Sequence, residues 1–484
     1  MDTKALKDKI LQLAIQGKLV PQDENDEPAS VLLEKIEAEK ERLIKDKVIK
    51  KEKSLQEISE EEKLFDLPNG WEWCRLGDIS NIIMGQSPDS KTISENKCGI
   101  EFHQGKASFG KFLIRESGLY CTKPNKIAIA GDILLSVRAP VGTLNITNRE
   151  LCIGRGLTAI RRFIDIENKF LYYFIMGLED ELVNKATGTT FLAVASSIIK
   201  EFLIPLPPLE EQKRIVIKLD ILFKLIDELD NNKQDLLQNI SDTRNKVLQL
   251  AIQGKLVDQN EDDEPASVLL ENIKEEKERL IKEKVIKKEK PLPEISEEEK
   301  LFDLPNGWEW ARLGNLGNIF NGNSINAKLK ESKYSNIKEG YNYIATKDID
   351  LKSRIINYEN GIKIPFNEEK FRIAHKGAVL ICAEGASAGK KIGLVKEDIC
   401  FGNKLLAIEL FYKTNSKYLF YLYQSTEFSK IFSNLISGIV GGISSKNFKE
   451  ISIPLPPLEE QKRIVAKVDT IMNYLDELEK QINQ

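Results

Sequence analysis

Two short stretches contain the residue types of catalytic sites, but neither has the required spacing. The sequence "GASAGKK" at residues 385–391 resembles a phosphate-binding loop, yet only three residues separate its glycines and no Ser or Thr follows the first lysine. The sequence "PDSKTISENK" at residues 88–97 imitates a PD…ExK nuclease motif, but it is too short and has no counterpart in the second half of the chain. Neither an Asp/Asn-Pro-Pro-aromatic tetrapeptide nor a Ser-His-Asp pattern occurs. The chain is therefore predicted to be non-catalytic.

The histidines and cysteines predict neither a metal site nor a disulfide framework. The chain contains two histidines, His103 and His375, and its six cysteines include no CxxC pair. Scattered cysteines of this kind are typical of reduced thiols in a cytoplasmic protein. No apolar run approaches the roughly 18 residues of a membrane span. We therefore expect a cytoplasmic protein that contacts no membrane and itself binds no metal or other cofactor.

Polar and basic side chains in two stretches, residues 76–204 and 313–453, have the chemistry of nucleic-acid contacts. Arg and Lys suit guanine edges or phosphates, whereas Asn and Gln suit adenine. Any one of these residues would also suit an ordinary surface. The candidates for contacts with double-stranded DNA are Gln86, Ser87, Lys106, Lys111, Arg138, Arg155, Asn323, Lys347, Lys390, Lys391, Asn403 and Lys404.

Charge is unevenly distributed along the chain. The net charge is −4, but residues 76–204 carry 15 Lys and Arg against 13 Asp and Glu, which gives +2. Residues 313–453 carry 20 against 13, which gives +7, so the remaining residues carry −13. The two candidate stretches are thus mildly basic, which permits contact with phosphates without being diagnostic of it.

Two repeated texts frame these stretches. Residues 11–77 and 248–314 align without a gap and are identical at 57 of 67 positions. The text "PLPPLEEQKRIV" occurs at residues 205–216 and again at 454–465. Its first copy runs on into the second "LQLAIQGKLV", whereas the other "LQLAIQGKLV" lies at the N-terminus. This order predicts a circular repeat with pseudo-two-fold symmetry, in which the N-terminal residues complete the C-terminal helical region.

The text "PLPPLEEQKRIV" is typical of a helix start, because proline is followed by acidic residues that complement the helix dipole. Apolar residues then recur at alternating steps of four and three, a period of about 3.5 residues that predicts a coiled coil. A packed helical hairpin would show the same pattern. The predicted core residues are Ile215, Leu219, Leu222, Ile226, Leu229, Ile464, Val468, Ile471, Leu475 and Leu478.

Other repeated residues are expected to be structural. Trp71 and Trp73, repeated as Trp308 and Trp310, could stack on bases, but their identity in both halves favours anchoring in the core. The charged segment 34–63 and its copy at 271–300 predict a second helical element with exposed Glu–Lys pairs. Docking of a partner subunit on this element is the alternative.

The two unlike stretches predict mixed α/β domains. In "KIAIAGDILLSVRAPVGTLNI" (126–146), short apolar runs are broken by turn residues, which indicates strands. "GAVLICAEGASAGKKIGLV" (377–395) is its loose counterpart, and "CIGRGLTAIR" (152–161) corresponds to "CFGNKLLAIE" (400–409). The predicted fold class is α+β, with two mixed α/β domains separated by a long antiparallel two-helix coiled coil.

These motifs resemble those of the specificity (S) subunits of type I restriction–modification systems. The resemblance rests on the paired "PLPPLEEQKRIV", "GDILLSVRAPVG", "CIGRGLTAIR" and "LPNGWEW" stretches and on the circular layout, and it covers the whole length. It implies two target-recognition domains, each binding one half of a bipartite, asymmetric DNA site. It also implies two modification subunits that methylate adenine with S-adenosylmethionine, and two restriction subunits driven by ATP with Mg.

The resemblance and the repeats together predict five segments. They are an N-terminal helical segment (1–66), a first target-recognition domain (67–204), a central helical region (205–303), a second target-recognition domain (304–453) and a C-terminal helix (454–484). A self-contained methyltransferase or nuclease with two recognition domains, and a coiled-coil scaffold that binds no DNA, are the alternatives.

Overall fold

The chain forms two units, Met1–Asn232 and Lys233–Gln484, each containing one copy of the repeated texts. Within the residues described, no helix is both long and apolar enough to cross a lipid bilayer. The computed structural model describes residues 2–138, 140–164, 166–179, 194–335, 337–412, 414–437 and 441–483.

The first unit begins with a short helix that is capped by Asp2, whose carboxylate accepts hydrogen bonds from the backbone N–H groups of Lys4 and Ala5 at 3.0 and 3.1 Å. A long helix starts in this unit and ends in the second. The helices are α1 (Thr3–Ile15), α2 (Ala29–Lys45), α3 (Leu76–Ile79), α4 (Asn168–Gly177), α5 (Ser196–Lys200) and the long α6 (Leu209–Ile252).

The strands of the first unit form three sheets. They are β1 (Glu72–Arg75), β2 (Ser80–Met84), β3 (Ile93–Ser94), β4 (Ile100–His103), β5 (Tyr120–Cys121), β6 (Ile127–Ala128), β7 (Ile133–Ser136), β8 (Leu144–Ile146), β9 (Leu151–Ile153), β10 (Leu157–Arg162) and β11 (Leu203–Leu206). Strands β1 and β11 pair alone, and the larger sheets have the orders β2-β10-β7-β8 and β3-β5-β4-β9-β6. Strands β4 and β9 run parallel, so residues about 50 positions apart in sequence become neighbours.

The second unit contains the end of α6 and a similar set of elements. Its other helices are α7 (Ala266–Lys282), α8 (Leu313–Leu316), α9 (Ala327–Leu329), α10 (Ser416–Leu422), α11 (Thr426–Asn434), α12 (Ser445–Lys449) and α13 (Leu458–Asn483). Its strands are β12 (Glu309–Arg312), β13 (Gly317–Asn321), β14 (Tyr341–Ile344), β15 (Lys363–Ile364), β16 (Ile373–Ala374), β17 (Val379–Cys382), β18 (Ile392–Leu394), β19 (Ile399–Phe401), β20 (Leu405–Leu410) and β21 (Ser452–Leu455).

The sheets of the second unit repeat those of the first. Strands β12 and β21 pair as β1 and β11 do, and the order β13-β20-β17-β18 matches β2-β10-β7-β8. In the third sheet, β15-β14-β19-β16, the strands β14 and β19 again run parallel. The predicted α+β class with two sheet-rich domains and a long helix is therefore confirmed, and the unlike stretches share one framework.

Buried Trp71 joins the first repeated text to the start of α6. Its indole Nε1 donates a hydrogen bond to Oε2 of Glu211 at 2.9 Å, and Trp71 and Glu211 are only 4% and 1% exposed. Gln22 donates to the other carboxylate oxygen at 3.2 Å. Burial raises the pKa of Glu211, while the hydrogen bonds from Trp71 and Gln22 oppose that shift.

The second unit contains the same joint. Trp308 Nε1 donates to Oε2 of Glu460 at 2.9 Å, and Gln259 donates to Oε1 at 3.1 Å. The prediction that the repeated tryptophans anchor the core is therefore confirmed for Trp71 and Trp308. The other two, Trp73 and Trp310, are half-buried and pack against phenylalanine rings in their own unit.

Gly17, which follows α1, contacts Pro68 of the same repeated text, and this contact requires a glycine. Its φ of +66° lies in the left-handed region, and a Cβ there would lie 2.4 Å from Cγ of Pro68. Gly254 has the same φ, and a Cβ there would lie 2.4 Å from Pro305 Cγ. Only glycine meets both conditions, because other residues rarely adopt this φ and would overlap the proline.

We call the two unlike stretches, residues 76–204 and 313–453, the variable domains. Each variable domain also forms hydrogen bonds with the helix that follows it. On α4, Lys169 Nζ and the Tyr173 hydroxyl donate to the two carboxylate oxygens of Asp220 on α6, both at 2.6 Å. On α10, Lys417 and Tyr421 donate in the same way to Asp469 on α13. A lysine and a tyrosine four residues apart therefore link helix to helix in both units.

Antiparallel helix pairs occur in both units. In the first, Gln22 beyond the end of α1 contacts Glu211 near the start of α6, whereas Lys7 forms an ion pair with Asp227 at 2.8 Å further along α6. In the second, Arg463 near the start of α13 forms an ion pair at 2.6 Å with Asp263, which follows α6. At the other end of this helix pair, Arg244 of α6 forms an ion pair with Glu479 of α13, also at 2.6 Å.

The predicted coiled-coil residues differ in burial. Leu229 is 47% exposed and is not a core residue of its unit. Leu229 is exposed because α1 begins close to it: Lys7 of α1 pairs with Asp227, and only the first residues of α1 remain to cover the next turn of α6. Leu222, Ile471 and Leu478 are half-buried, and the buried ones are Ile215, Leu219, Ile226, Ile464, Val468 and Leu475.

The charged segments form the helices α2 and α7 in their first parts. Ala29, Leu32 and Ile36 bury one face of α2, and Ala266, Leu269 and Ile273 do the same on α7. The exposed faces carry ion pairs such as Arg42 with Glu39 at 2.7 Å. The predicted helical element is therefore present, followed in each unit by residues outside regular secondary structure.

Candidate nucleic-acid interface

Four loops meet in the first unit, each next to the end of a strand. We call residues 85–88, 104–106, 137–138 and 154–156 loop cluster 1. Backbone hydrogen bonds hold it together: Gln86 N–H donates to Ile153 at 2.9 Å, Gly156 N–H to Gln104 at 3.1 Å and Val137 N–H to Gly156 at 3.0 Å. The parallel pairing of β4 with β9 is what brings loop 104–106 beside loop 154–156.

Three of the predicted DNA contacts, Gln86, Ser87 and Arg155, lie together in this cluster. Ser87 Oγ donates to Oε1 of Gln104 at 2.8 Å, and Arg155 Nε donates to Ser87 Oγ at 3.4 Å. Gln86 is exposed beside them. Asn125 Nδ2 donates to the Ser87 carbonyl oxygen at 3.2 Å. The sequence analysis missed Gln104 and Asn125, because only the strand pairing shows that they lie here.

Lys106 and Arg138 extend the basic part of loop cluster 1. Lys106 Nζ donates to the Thr143 hydroxyl at 3.1 Å and has no carboxylate partner among the residues described. Arg138 is exposed, and its guanidinium has no partner in the described part of the chain. With Arg155, these residues give the cluster three cations, and its four loops contain no acidic residue. Such a surface is suited to phosphates and to base acceptors.

Lys111, another of the predicted DNA contacts, has a partner on α6. Its Nζ forms an ion pair with Asp227, the same carboxylate that Lys7 contacts. Partial burial tends to raise the pKa of Asp227, but the hydrogen bonds from Lys111 and Lys7 outweigh it and the pKa lies below its usual value. Lys111 therefore links the variable domain to its helix and does not belong to loop cluster 1.

The second unit has an equivalent set of loops. We call residues 322–324, 345–347, 383–384 and 402–404 loop cluster 2. Asn323 N–H donates to Phe401 at 2.8 Å, Gly402 N–H to Ile344 at 2.9 Å and Ala383 N–H to Lys404 at 2.8 Å. These bonds join the same strand ends as in the first unit, so the two clusters can be matched position by position.

The match shows several shared residues and several that differ. Gly85, Ser87 and Gly154 correspond to the identical residues Gly322, Ser324 and Gly402. Lys106 corresponds to Lys347, since each is the third residue after the central parallel strand. The positions that differ are Gln86 and Asn323, Gln104 and Ala345, Arg138 and Glu384, Arg155 and Asn403, and Gly156 and Lys404. Glu384 could not be identified from the sequence, because an acidic residue carries no signal for DNA contact until it is known to occupy the position equivalent to Arg138.

Two predicted contacts of the second unit have internal partners. The side chain of Asn323 donates to the Lys370 carbonyl at 3.1 Å and accepts from the Arg372 N–H at 2.8 Å. Both ends of its amide are therefore used to hold the segment 370–372. Lys391 Nζ donates to the Thr346 carbonyl oxygen at 2.9 Å. These side chains stabilise the cluster from within, unlike exposed Gln86 in the first unit.

The remaining candidates of the second unit are exposed. Lys347, Lys390, Asn403 and Lys404 all lie at the surface, and their side chains have no hydrogen-bond partner among the described residues. Lys347, Asn403 and Lys404 belong to loop cluster 2 itself, and Lys390 lies in the adjoining "GASAGKK" loop.

A buried polar network lies under Gln104. His103 is 1% exposed, and its Nε2 lies 3.0 Å from Oε1 of Glu101. Arg149 Nε donates to Oε2 of Glu101 at 2.7 Å, and the Ser117 N–H donates to Oε1 at 2.6 Å. Burial lowers the pKa of His103 more than the Glu101 carboxylate raises it, so the imidazole is neutral at pH 7. The network fixes the strand end that carries Gln104.

The catalytic look-alikes have structural roles. Asp89 Oδ1 of the "PDSKTISENK" stretch accepts from the Lys91 N–H at 3.0 Å and caps a short turn. Within the described ranges, no group of three or more His, Cys, Asp or Glu side chains could hold a metal ion.

Comparison with known proteins finds one family match in each half of the chain. The family described as "Type I restriction modification DNA specificity domain" matches residues 68–239 and 305–484. The chain is 32% identical to the specificity subunit of the type I restriction enzyme EcoAI from Escherichia coli, over 98% of this chain and 90% of that protein. It is 29% identical to the EcoEI specificity subunit from Escherichia coli, over 99% and 90%.

A solved structure supports the fold. A chain from work on complex assembly and conformational transition of the type I R-M system superposes with a TM-score of 0.59 at 22% identity, over 87% of this chain and 94% of that chain. Together with the family match over both variable domains, these findings show that the chain belongs to the specificity subunits of type I restriction–modification systems, a non-catalytic family that recognises DNA sequences.

Proposed function

We propose that the chain binds a bipartite, asymmetric DNA target, with one half-site for each unit. The observation that carries this proposal is the pair of equivalent loop clusters, which share a backbone frame but present different exposed side chains. Side chains that differ at equivalent positions select different bases, because each base pair has its own pattern of donors and acceptors in the major groove.

The proposed division of the chain follows from the same observation. Segments 67–204 and 304–453 are the two target-recognition domains, since each contains one loop cluster. Segments 1–66, 205–303 and 454–484 form the helical framework, with the N-terminal segment completing the C-terminal helical region.

Individual residues have different proposed roles in this interface. Lys106 and Lys347 contact phosphates, because the same residue at the same position cannot distinguish two half-sites. The residues proposed to reach bases or nearby phosphates are Gln86, Arg138, Arg155, Lys390, Asn403 and Lys404. Ser87 orients its neighbours, and Lys111, Asn323 and Lys391 maintain the structure through their internal partners.

Family membership supports the wider complex that we propose. The chain assembles in the cytoplasm with two modification subunits and two restriction subunits. S-adenosylmethionine, ATP and Mg bind to those partners, which carry out adenine methylation, translocation and cleavage. The near-identical framework of the two units would offer nearly equivalent docking surfaces to two copies of one partner.

Selection of bound duplexes from a randomised pool, with the purified full chain, tests the proposal. We expect two conserved half-sites separated by a gap of unselected bases. Arg155→Asn, which gives the first unit the residue found in the second, should alter the first half-site alone. Equal binding of all duplexes would instead indicate a scaffold, and methyl transfer by the chain alone would indicate a self-contained methyltransferase.

A further inference from the structure

We propose that Gln104 is a specificity-determining residue that reads an adenine in the first half-site, through a carboxamide held by Ser87 beside Arg155. The inference rests on the proposed function, since it requires loop cluster 1 to face DNA. Gln104 lies outside the residues that the sequence singled out, and its position follows from strand pairing and side-chain geometry.

A directional chain of hydrogen bonds fixes the orientation of the carboxamide. Arg155 donates to Ser87 Oγ from both Nε, at 3.4 Å, and its backbone N–H, at 3.5 Å. The single hydroxyl proton of Ser87 must therefore go to an acceptor, and it goes to Oε1 of Gln104 at 2.8 Å. The carbonyl oxygen of Gln104 thus faces Ser87, and the amide Nε2 lies on the opposite side.

This arrangement leaves the groups that adenine requires. The exposed Gln104 side chain keeps both Nε2–H donors and the second lone pair of Oε1 without a partner among the described residues. A glutamine amide pairs with adenine by donating to N7 and accepting from N6. Arg155 retains its terminal guanidinium nitrogens for a neighbouring guanine or phosphate. Gln104 and Arg155 therefore form adjacent readers that share one hydroxyl.

The glycines on either side of Arg155 are shaped to Gln104. A Cβ at Gly154 would lie 2.5 Å from Oε1 of Gln104, and a Cβ at Gly156 would lie 2.6 Å from its backbone oxygen. A side chain at either position would overlap Gln104. Gly154 therefore leaves room for the Gln104 amide, whereas Gly156 accommodates the backbone carbonyl of residue 104.

The second unit supports this interpretation by contrast. Position 104 corresponds there to Ala345, which has no polar side chain, and Gly156 corresponds to Lys404. Where the glutamine is absent, the second glycine is absent too. The buried network of His103 and Glu101 also belongs to the first unit alone, since Ile344 and Asn342 occupy the equivalent positions.

The test is duplex selection with the full chain and its Gln104→Ala variant. We expect Gln104→Ala to lose the preference for adenine at one position of the first half-site, by roughly 5- to 150-fold for one bidentate pair. The second half-site of the same molecule is the internal control and should be unchanged. Ser87→Ala should weaken the preference at the same position without abolishing it, because Ser87 orients the reader and does not touch the base.

Each outcome separates this inference from the proposed function. If the unaltered chain selects no sequence, the proposed function fails. If it selects two half-sites but Gln104→Ala selects the same first half-site with the same adenine preference, only the role of Gln104 is overturned. Loss of the entire first half-site in Gln104→Ala would also overturn it, since that result would mark Gln104 as a structural residue.

Discussion

Replacing Lys106 by alanine should remove one phosphate contact and lower the salt dependence of DNA binding. Among the residues described, the Nζ of Lys106 contacts only the neutral Thr143 hydroxyl, so its charge is available to DNA. Each phosphate contact contributes about 0.9 to the slope of log K against log salt. Between 50 and 200 mM salt, a fourfold change, the affinity of Lys106→Ala should therefore fall about 3.5-fold less than that of the unaltered chain.

Three further variants make this prediction specific. Lys347→Ala, at the equivalent position of the second unit, should reduce the slope by the same amount, and the double variant by about 1.8. Lys111→Ala is the matched control, because Lys111 lies outside loop cluster 1 and forms an ion pair with Asp227, so the slope should hardly change. Fluorescence anisotropy with a selected duplex over a range of salt concentrations measures the slope for the unaltered full chain and its four variants. The reasoning is refuted if Lys111→Ala lowers the slope as much as Lys106→Ala, or if Lys106→Ala changes the selected bases.

Three other predictions concern the framework. Trp71→Phe should leave the buried Glu211 without its indole donor and lower the opening free energy of β1 by about 1–3 kcal/mol, whereas hydrogen exchange in β12 should stay unchanged. The low pKa of His103 keeps its imidazole neutral in the folded chain, while the unfolded chain binds a proton near pH 6.5. The free energy of unfolding should therefore be highest above pH 6.5 and decline as the pH falls through the folded pKa. Urea denaturation at several pH values should show a smaller decline of this free energy for His103→Gln. A decline equal to that of the unaltered chain would exclude His103 as the cause. Inserting four helix-forming residues between Asn232 and Lys233 adds about 6 Å to α6, so duplex selection should show a longer gap with both half-sites intact, and an unchanged gap would contradict the role of α6 as a spacer.

Local sequence signals predicted the framework well. The start of α6 was predicted because the proline-acidic pattern that opens a helix depends only on neighbouring residues. The strands in "KIAIAGDILLSVRAPVGTLNI" were predicted because short apolar runs broken by turn residues are also a local signal. The buried Trp71 was predicted because a residue that is identical in both halves serves what both halves share.

Side-chain partners across the fold were beyond the reach of the sequence. Lys111 and Lys106 look alike in the chain, and only the fold shows that Lys111 pairs with Asp227 on α6 whereas Lys106 lies in loop cluster 1. Asn323 has the chemistry of an adenine reader, but backbone groups some 50 residues away occupy its amide. Gln104 escaped notice because the parallel pairing of β4 with β9 is a non-local contact.

The duplicated joint has an evolutionary consequence. In both units, the variable domain is joined to the next helix by the same two contacts. One is the tryptophan–glutamate hydrogen bond, and the other is a lysine and a tyrosine that donate to one aspartate. The framework supplies the tryptophan, the glutamate and the aspartate, whereas the lysine and the tyrosine belong to the domain itself. A foreign domain bounded by the two repeated texts would therefore need only a lysine and a tyrosine four residues apart at the equivalent helix. A new target could be acquired by exchanging one cassette of the gene, with no compensating mutation in the framework that receives it.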